Sequence, residues 1–131
     1  MSFPNTSKNN GSSLLRKKVG VFGEQLACEF LERKGYDILI RNFCVRGGEI
    51  DIIARREQDL IVVEVKTRTS TVYGFAEEAV DRNKRNSMNK ALSAYHAPFA
   101  FRYIRFDIIA IDIDTHSSSA KVRHLKNIIF D

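Results

Sequence analysis

The sequence has few of the residues that build zinc sites and redox couples. Its two cysteines, Cys28 and Cys44, fall in separate predicted elements and lack C-x-x-C spacing, which argues against a metal or redox couple. Three histidines are scattered along the chain without metal-ligand spacing. We expect both cysteines to be buried thiols, because free cysteine packs as a small hydrophobic residue, and the histidines to be exposed or hydrogen-bonded.

Long apolar runs are also absent. No run approaches the roughly 20 residues that a membrane-spanning helix needs, and the N-terminal stretch does not look like a secretory signal. The sequence also has no internal repeat and no second segment of clearly different amino-acid composition. The 131 residues therefore predict one globular domain without membrane association, and a cytoplasmic location is the default expectation.

Acidic residues are missing from the first part of the chain. The net charge is +5, and residues 1–20 hold four basic residues and no acid. This distribution suggests nucleic acid or another polyanion as a partner. A solvated tail rich in Ser, Asn and Gly explains it equally well. We divide the chain into a polar, basic, flexible tail at residues 1–17 and a folded domain at residues 18–131.

Apolar periodicity predicts the order of helices and strands. Steps of three and four residues predict a first helix over about 18–34, ended by Gly35, and the segment from Phe75 to Ala97 has helical spacing as one helix or two. This order predicts a mixed α/β (α+β) fold with a central mixed β-sheet flanked by helices. The predicted strands are 36–45, 49–54, 60–67, 103–113 and 121–130.

The second predicted strand carries two acids within an apolar alternation. Because side chains alternate between the faces of a strand, Glu49, Asp51 and Ile53 are expected on one face. Ile50 and Ile52 are expected on the other face. The acids would then lie on a face that is otherwise suited to a core.

The third predicted strand places Glu64 and Lys66 on one face. If the two strands form a hairpin with an even-length loop, Asp51 falls opposite Glu64 and Glu49 falls opposite Lys66. An odd-length loop would send Asp51 and Glu64 to opposite faces. We predict the even-length loop, which brings the four charges together at the end of the hairpin far from its turn.

Carboxylates that face each other across a sheet repel, and in a partly dry setting they need a compensating cation. Mg²⁺ or Mn²⁺ would supply it, since Mg²⁺ takes one or two carboxylates and keeps several waters. Asp51 and Glu64 are the candidate metal ligands, and Lys66 would position or help deprotonate a water that attacks a phosphodiester. The structural alternative is that Glu49 and Lys66 form a cross-strand ion pair, while Asp51 and Glu64 are only solvated at the edge of the sheet.

Six sequence blocks resemble a known family. They occur in the order seen in the YraN family of small bacterial proteins, from about Val19 to Phe130, and the chain is identified as similar to its members. That family in turn resembles the archaeal Holliday junction resolvases and, more distantly, the PD-(D/E)XK nucleases, whose core is a mixed sheet flanked by helices. The blocks are GVFGEQLACEFL, GYDILIRN, GEIDIIA, VVEVKTR, YGFAEEAVDRNK and RFDIIAI.

The resemblance implies roles for individual residues. By position, the metal-binding aspartate is Asp51, the second catalytic acid is Glu64 and the catalytic lysine is Lys66. Resolvases also use a glutamate from the first helix as a metal ligand, and Glu24 occupies that place. Glu49 has no fixed role and is interpreted as an accessory acid. The proline that precedes the aspartate in the superfamily is absent, and residue 50 is isoleucine instead.

Basic residues beyond the acids are candidates for nucleic-acid binding. Arg68 continues the face of Glu64 and Lys66, and such groups hold phosphates without reading bases. Lys84 and Arg85, in the predicted second helix, either bind phosphates in the same way or form a solvated helix face. In a later strand, Arg105 and Asp107 are expected to form a structural pair.

The leading hypothesis is a metal-dependent endonuclease that hydrolyses phosphodiester bonds of DNA, including branched or single-stranded forms. The resemblance also implies action as a homodimer. The alternative is a nucleic-acid-binding module that keeps a nuclease-like fold without catalytic activity. A third hypothesis assigns the acids a structural role alone.

Overall fold

The structure is a computed structural model that describes residues 4–69 and 82–128. These residues form one five-stranded sheet in the order β1-β2-β3-β4-β5 and two helices. Neighbouring strands are antiparallel except β3 and β4, which are parallel. The expected mixed sheet flanked by helices is confirmed. The elements are α1 (Pro4–Arg33), β1 (Asp37–Val45), β2 (Gly48–Arg56), β3 (Asp59–Arg68), α2 (Arg82–Ser93), β4 (Tyr103–Asp114) and β5 (Ser119–Leu125).

Helix α1 begins at Pro4 rather than near residue 18, so the expected start is wrong. Periodicity detects only a helix that carries an apolar stripe, and the added N-terminal part is mostly polar. The end agrees with the expectation, because the helix stops at Arg33 and Gly35 follows with a φ of 91°. The separation of residues 1–17 from the domain as a flexible tail stays a prediction.

The β2–β3 hairpin has the predicted even-length loop. Arg56 pairs with Asp59, so the turn holds two residues, and Ala54 pairs with Ile61. The ladder between the strands runs as far as Ile52 paired with Val63. The predicted register is therefore confirmed from the turn to the pair of Ile52 with Val63. Asp51 and Glu64 are the next residues beyond this last pair.

Each helix covers one face of the sheet. The α1 layer packs Ala27, Cys28 and Leu31 against the sheet, and the α2 layer does so with Met88 and Ala91. Fully buried β-branched residues fill both layers, which is typical of central strands. On the α1 side these include Ile52, Val63, Ile109 and Ile111, and on the α2 side Ile50, Ile53 and Val62.

Two expectations about buried residues are wrong. Ile50 lies in the α2 layer, whereas strict alternation placed it with Ile52 in the other layer. The alternation fails because the β2–β3 ladder ends at Ile52, next to Asp51. Cys28 is buried as expected, but Cys44 is exposed, because it lies on the edge strand β1.

The later predicted elements are found within the limits of the description. The helical segment from Phe75 to Ala97 contains α2, and its residues 75–81 lie outside the described residues. Strands β4 and β5 match the two closing strands, although residues 129 and 130 also lie outside. No helix in the described part of the chain is both long and apolar enough to cross a membrane.

A buried ion-pair cluster ties the start of β4 to β5 and to the end of α1. Arg105 donates two hydrogen bonds to Asp107, at 2.9 and 2.8 Å, and one to the Tyr36 hydroxyl at 2.7 Å. His124 Nε2 lies 2.7 Å from Asp107 Oδ2, and Asp107 is 1% exposed. The expected pairing of Arg105 with Asp107 is confirmed, and His124 is hydrogen-bonded within the fold.

Acid should weaken this cluster. Burial raises the pKa of Asp107, but hydrogen bonds from His124 and Arg105 and from a backbone amide outweigh it and hold the pKa below its ordinary value of 3.8. A lowered pKa stabilises the fold above about pH 4, and this contribution is lost as pH falls through the folded-state value. Asp107→Asn should therefore lower the free energy of unfolding by about 2 kcal/mol or more at pH 7.

Denaturant unfolding between pH 3 and pH 7 measures this difference. We expect the gap between the variant and the unmodified protein to shrink at the acid end of the range. The matched control is Asp37→Asn, because Asp37 is exposed at the start of β1. A gap that is the same at pH 3 and pH 7 would show that the charge of Asp107 does not stabilise the fold.

Candidate functional site

A pocket of about 730 Å³ lies where the C-terminal end of β3 meets α1. Four residues with predicted roles line it, together with Arg68, while the α1 side contributes Leu15, Val19 and Gly20. The structure therefore brings together the acids and the lysine that the sequence singled out. These four residues are Glu24, Asp51, Glu64 and Lys66.

Asp51 stands at the point where β2 and β3 stop pairing. Its Oδ2 accepts a hydrogen bond of 2.8 Å from the backbone amide of Val65, one residue beyond Glu64. The carboxylate thus takes the place of a backbone carbonyl from the neighbouring strand. This bond fixes Asp51 between the strands and beside the Glu64 side chain.

Glu64 is a buried acid that is only half satisfied. The residue is 2% exposed, and its Oε1 lies 3.2 Å from Lys84 Nζ and 3.5 Å from Lys66 Nζ. Its Oε2 is buried and has no hydrogen-bond partner among the described residues. A buried carboxylate oxygen without a partner is costly, so the folded chain alone does not complete this site.

The pKa of Glu64 reflects this environment. Burial raises it most, and the charge of Asp51 raises it further, so that the pKa reaches about 7 although Lys84 and Lys66 lower it. A hydrogen bond to Asp51 favours the protonated acid as well. The environment of Glu64 therefore favours its protonated form more than water does.

Lys84 joins two acids from different strands, a role that the sequence did not reveal. Its Nζ lies 3.4 Å from Glu49 Oε1 and 3.2 Å from Glu64 Oε1. Burial lowers the pKa of Lys84, but the nearby carboxylates, Glu64 first, outweigh this and raise it. The predicted register placed Glu49 opposite Lys66, and this expectation is wrong. The β2–β3 ladder ends before Glu49, whose side chain forms its ion pair with Lys84 of α2 instead.

Helix α2 reaches the acids because β2 begins with a glycine. A Cβ at Gly48 would lie 2.9 Å from the backbone nitrogen of Ala91, so α2 could not approach as closely with any other residue there. The amide of Glu49 also donates a hydrogen bond of 3.2 Å to Ser87 Oγ. These contacts hold α2, the helix that carries Lys84, against the start of β2.

Glu24 lies on α1 at the rim of the same pocket. Burial raises its pKa first, Asn42 lowers it by a hydrogen bond, and the charge of Asp51 raises it again, so Glu24 is close to the acids of β2. Asn42 lies on β1 with a positive φ of 52°. The expectation that the first helix contributes a glutamate to this pocket agrees with its position, while its role as a ligand stays a prediction.

Magnesium fits the acids of the pocket as a cation bound mainly by water. Within residues 4–69 and 82–128, no three His, Cys, Asp or Glu side chains are grouped closely enough to hold a metal ion on their own. Mg²⁺ needs only one or two carboxylates, because it keeps several waters. Asp51 and Glu64 supply that number, and the unpartnered Oε2 of Glu64 is an available donor atom.

The remaining predicted residues take different positions. Arg68 lines the pocket, and Arg85 is half-buried on α2; both already have interactions within the fold. Lys84 is engaged with acids, so the alternative of a solvated helix face is wrong for this residue. Binding of nucleic acid by Arg68, Lys84 and Arg85 stays a prediction.

The close approach of α1 to β3 can be tested at two glycines of the same helix. A Cβ at Gly23 would overlap the Thr67 side chain, whereas a Cβ at Gly20 would meet nothing within 4 Å. We expect Gly23→Ala to lower the free energy of unfolding by about 1–2 kcal/mol through overpacking. Gly20→Ala, the control, should raise it by about 0.5–1 kcal/mol through helix propensity. Denaturant unfolding measures both, and equal effects would contradict the packing of Gly23 on Thr67.

Removing the charge of Glu64 should stabilise the protein in the absence of divalent cations. The folded-state pKa of about 7 exceeds the ordinary 4.5, so the folded state loses stability as pH rises from 4.5 to 7. Glu64→Gln should then raise the free energy of unfolding by about 1–3 kcal/mol at pH 8 in a chelating buffer. This gain should shrink towards pH 4.5.

Unfolding curves at pH 5 and pH 8 provide the measurement. Glu49→Gln is the control, because Glu49 makes an ion pair with the same Lys84 but its side chain is 55% exposed. That substitution should change stability by less than about 0.5 kcal/mol. If Glu64→Gln destabilises the protein at pH 8, the ion pairs of Glu64 outweigh the cost of its burial.

Comparison with known proteins gives a consistent result. The family described as "Uncharacterised protein family UPF0102" matches residues 23–111. A UPF0102 protein of Syntrophomonas wolfei is 39% identical over 115 residues, which cover 86% of this chain and 98% of the relative. UPF0102 proteins of Clostridium botulinum strain Hall and of Caldicellulosiruptor bescii are 40% and 41% identical over 85% of this chain. The match includes every acid of the pocket.

Proposed function

The chain belongs to the uncharacterised protein family UPF0102, the YraN family, and we propose that it is a metal-dependent endonuclease that hydrolyses DNA phosphodiester bonds. The observation that carries the proposal is the buried, unpartnered Oε2 of Glu64 beside Asp51 and Lys66. A buried carboxylate oxygen without a partner costs stability. A divalent cation would satisfy it.

The residues of the pocket divide the work of such a reaction. Asp51 and Glu64 would hold Mg²⁺ or Mn²⁺, with Glu24 as a further acid on the rim. The bound cation would supply charge stabilisation to the phosphate and lower the pKa of a water. Lys66, with its ammonium 3.5 Å from Glu64 Oε1, would hold the attacking water and, once deprotonated, accept its proton.

Other groups would act on the substrate or on the acids. Arg68, on the lining of the pocket, would bind a phosphate next to the reacting one. Lys84 neutralises Glu49 and Glu64 in the absence of a cation and would shift towards Glu49, the accessory acid, when a cation binds. DNA as the substrate, its branched or single-stranded forms, and action as a homodimer come from the resemblance to resolvases.

One observation favours a second candidate function, binding of nucleic acid without catalysis. Two ammonium groups, from Lys66 and Lys84, already lie within 3.5 Å of Glu64 Oε1. They could compensate the acids permanently, which would leave no requirement for a metal. The chain would then use its basic residues to bind phosphates, and the carboxylates would only position those residues.

Metal binding and cleavage should depend on the same carboxylates. We expect Mg²⁺ or Mn²⁺ to bind in calorimetry, and linear, nicked, flapped or four-way DNA to be cleaved in a metal-dependent reaction. Asp51→Asn should abolish metal binding and cleavage. Lys66→Ala should keep metal binding but lower the cleavage rate by about 100-fold or more, because it removes the group that handles the proton.

The controls are Asp37→Asn and Lys121→Ala, which remove an exposed acid and an exposed base that are not part of the lining of the pocket. Neither should change metal binding or rate. DNA binding that persists in a chelating buffer without any cleavage on adding metal would favour the non-catalytic module. If millimolar Mg²⁺ or Mn²⁺ does not bind, the endonuclease proposal fails.

A further inference from the structure

A second polar pocket lies beneath the C-terminal end of α1, and we call it the basic pocket. It has a volume of about 380 Å³ and is separate from the carboxylate pocket. Along α1, Lys34 is ten residues beyond Glu24, a distance of about 15 Å at 1.5 Å per residue. Its polar lining consists of Lys34, Tyr36, Arg56, Arg105, His124 and Lys126.

The basic pocket has an excess of positive charge. Among the residues that the structure describes, Arg105 and His124 are the members that contact an acid, and for both that acid is Asp107. Asp107 is buried, and both of its oxygens are used: Oδ1 accepts from Arg105 and from an amide, and Oδ2 accepts from Arg105 and contacts His124. Within the described chain, Lys34, Arg56 and Lys126 make no ion pair with a carboxylate.

The cations are held in place by contacts that leave their charge uncompensated. Arg56 donates a hydrogen bond to the backbone carbonyl of Lys34, and its guanidinium lies 5.0 Å from the centre of the Tyr36 ring. Asp107 accepts a hydrogen bond of 2.9 Å from the amide of Asn127, which positions the adjacent Lys126 at the rim. Arg56 and Arg105 are therefore held by contacts within the fold before any ligand binds, which lowers the entropic cost of binding an anion.

The shape of the pocket favours phosphate over a nucleobase. Tyr36 is 5% exposed, and its ring is covered by guanidinium groups, so it offers no open face for stacking. Arginine and lysine side chains arranged around a polar cavity match the oxygens of a phosphate group. A backbone phosphodiester presents such oxygens without requiring any contact to the base.

We propose that the basic pocket binds a phosphate of a nucleic-acid backbone, about 15 Å from the carboxylate pocket. This second contact does not depend on catalysis by Asp51 and Glu64. It would anchor a strand against the end of α1 whether or not the strand is cut at the other pocket.

The test is binding of a labelled single-stranded oligonucleotide and of a duplex, by fluorescence anisotropy in a chelating buffer so that no cleavage occurs. Lys34→Gln combined with Lys126→Gln should weaken binding about 10-fold at low salt. It should also reduce the slope of log K against log salt by about 1, since one phosphate contact is lost. Both lysines are exposed, so the fold should be retained, which circular dichroism checks.

The matched control is Arg46→Gln combined with Lys121→Gln, which removes two exposed positive charges outside the pocket. This control should keep the affinity and the salt slope within about twofold of the unmodified protein. Equal weakening in both double variants would show a general charge effect and overturn the proposal. No weakening in either would also overturn it.

Inorganic phosphate and a mononucleotide, titrated separately, distinguish the source of the phosphate. Weak phosphate binding that disappears in the Lys34 and Lys126 double variant, together with loss of oligonucleotide affinity, supports the backbone site. If small phosphates bind but oligonucleotide affinity is unchanged, the backbone assignment is wrong. The chelating buffer removes the cation that cleavage would need, so that a failure of the endonuclease proposal leaves this result unaffected.

Discussion

The hydrogen bond from the amide of Val65 to the carboxylate of Asp51 organises the candidate site. It replaces a strand-to-strand bond at the position where the β2–β3 ladder ends, so a charged side chain fills the gap between two buried strands. Glu64 directly precedes Val65 in β3, so its side chain lies beside Asp51. Glu49 lies beyond the end of the ladder and pairs with Lys84 of α2. The acids therefore meet at one pocket just beyond the last pair of the ladder.

The two helices complete the site from opposite faces of the sheet. Gly48 lets α2 approach β2 closely enough for Lys84 to reach the acids, and Gly23 lets α1 pack on Thr67 next to Glu24. In each case the absence of a side chain sets the distance between backbones. The buried acids raise the energy of the folded state, and the cores on both faces of the sheet offset that cost.

The molecule separates two kinds of charge along α1. Acids gather near Glu24, and cations gather near Lys34, at the other end of the part of the helix that packs on the sheet. Asp107 supports the cations near Lys34 in two ways. It forms an ion pair with Arg105, and it accepts a hydrogen bond from the amide of Asn127, the residue after Lys126. A polyanion that runs along this helix would meet the carboxylate pocket and the basic pocket in succession.

Much of this arrangement follows from local sequence patterns. Alternation identified the strands, and an even-length turn placed Asp51 near Glu64, because hairpin register is set by the turn and by the buried faces of the two strands. Glu24, Lys66 and the Arg105–Asp107 pair were also identified from motif and parity. Patterns of this kind are short-range, and the chain by itself determines them.

The tertiary structure decided what depends on contacts between distant segments. Lys84 joins Glu49 and Glu64 although 20 residues separate it from the nearer one, and no periodicity links a helix residue to a particular strand acid. The burial of Ile50 beside α2, the exposure of Cys44 and the packing of Gly23 and Gly48 depend on where the ladder ends and how closely each helix docks. The sequence by itself determined which residues are candidates for the chemistry. Their ion pairs and burial were decided only on folding, because electrostatic and packing energies depend on distances that one-dimensional spacing does not contain.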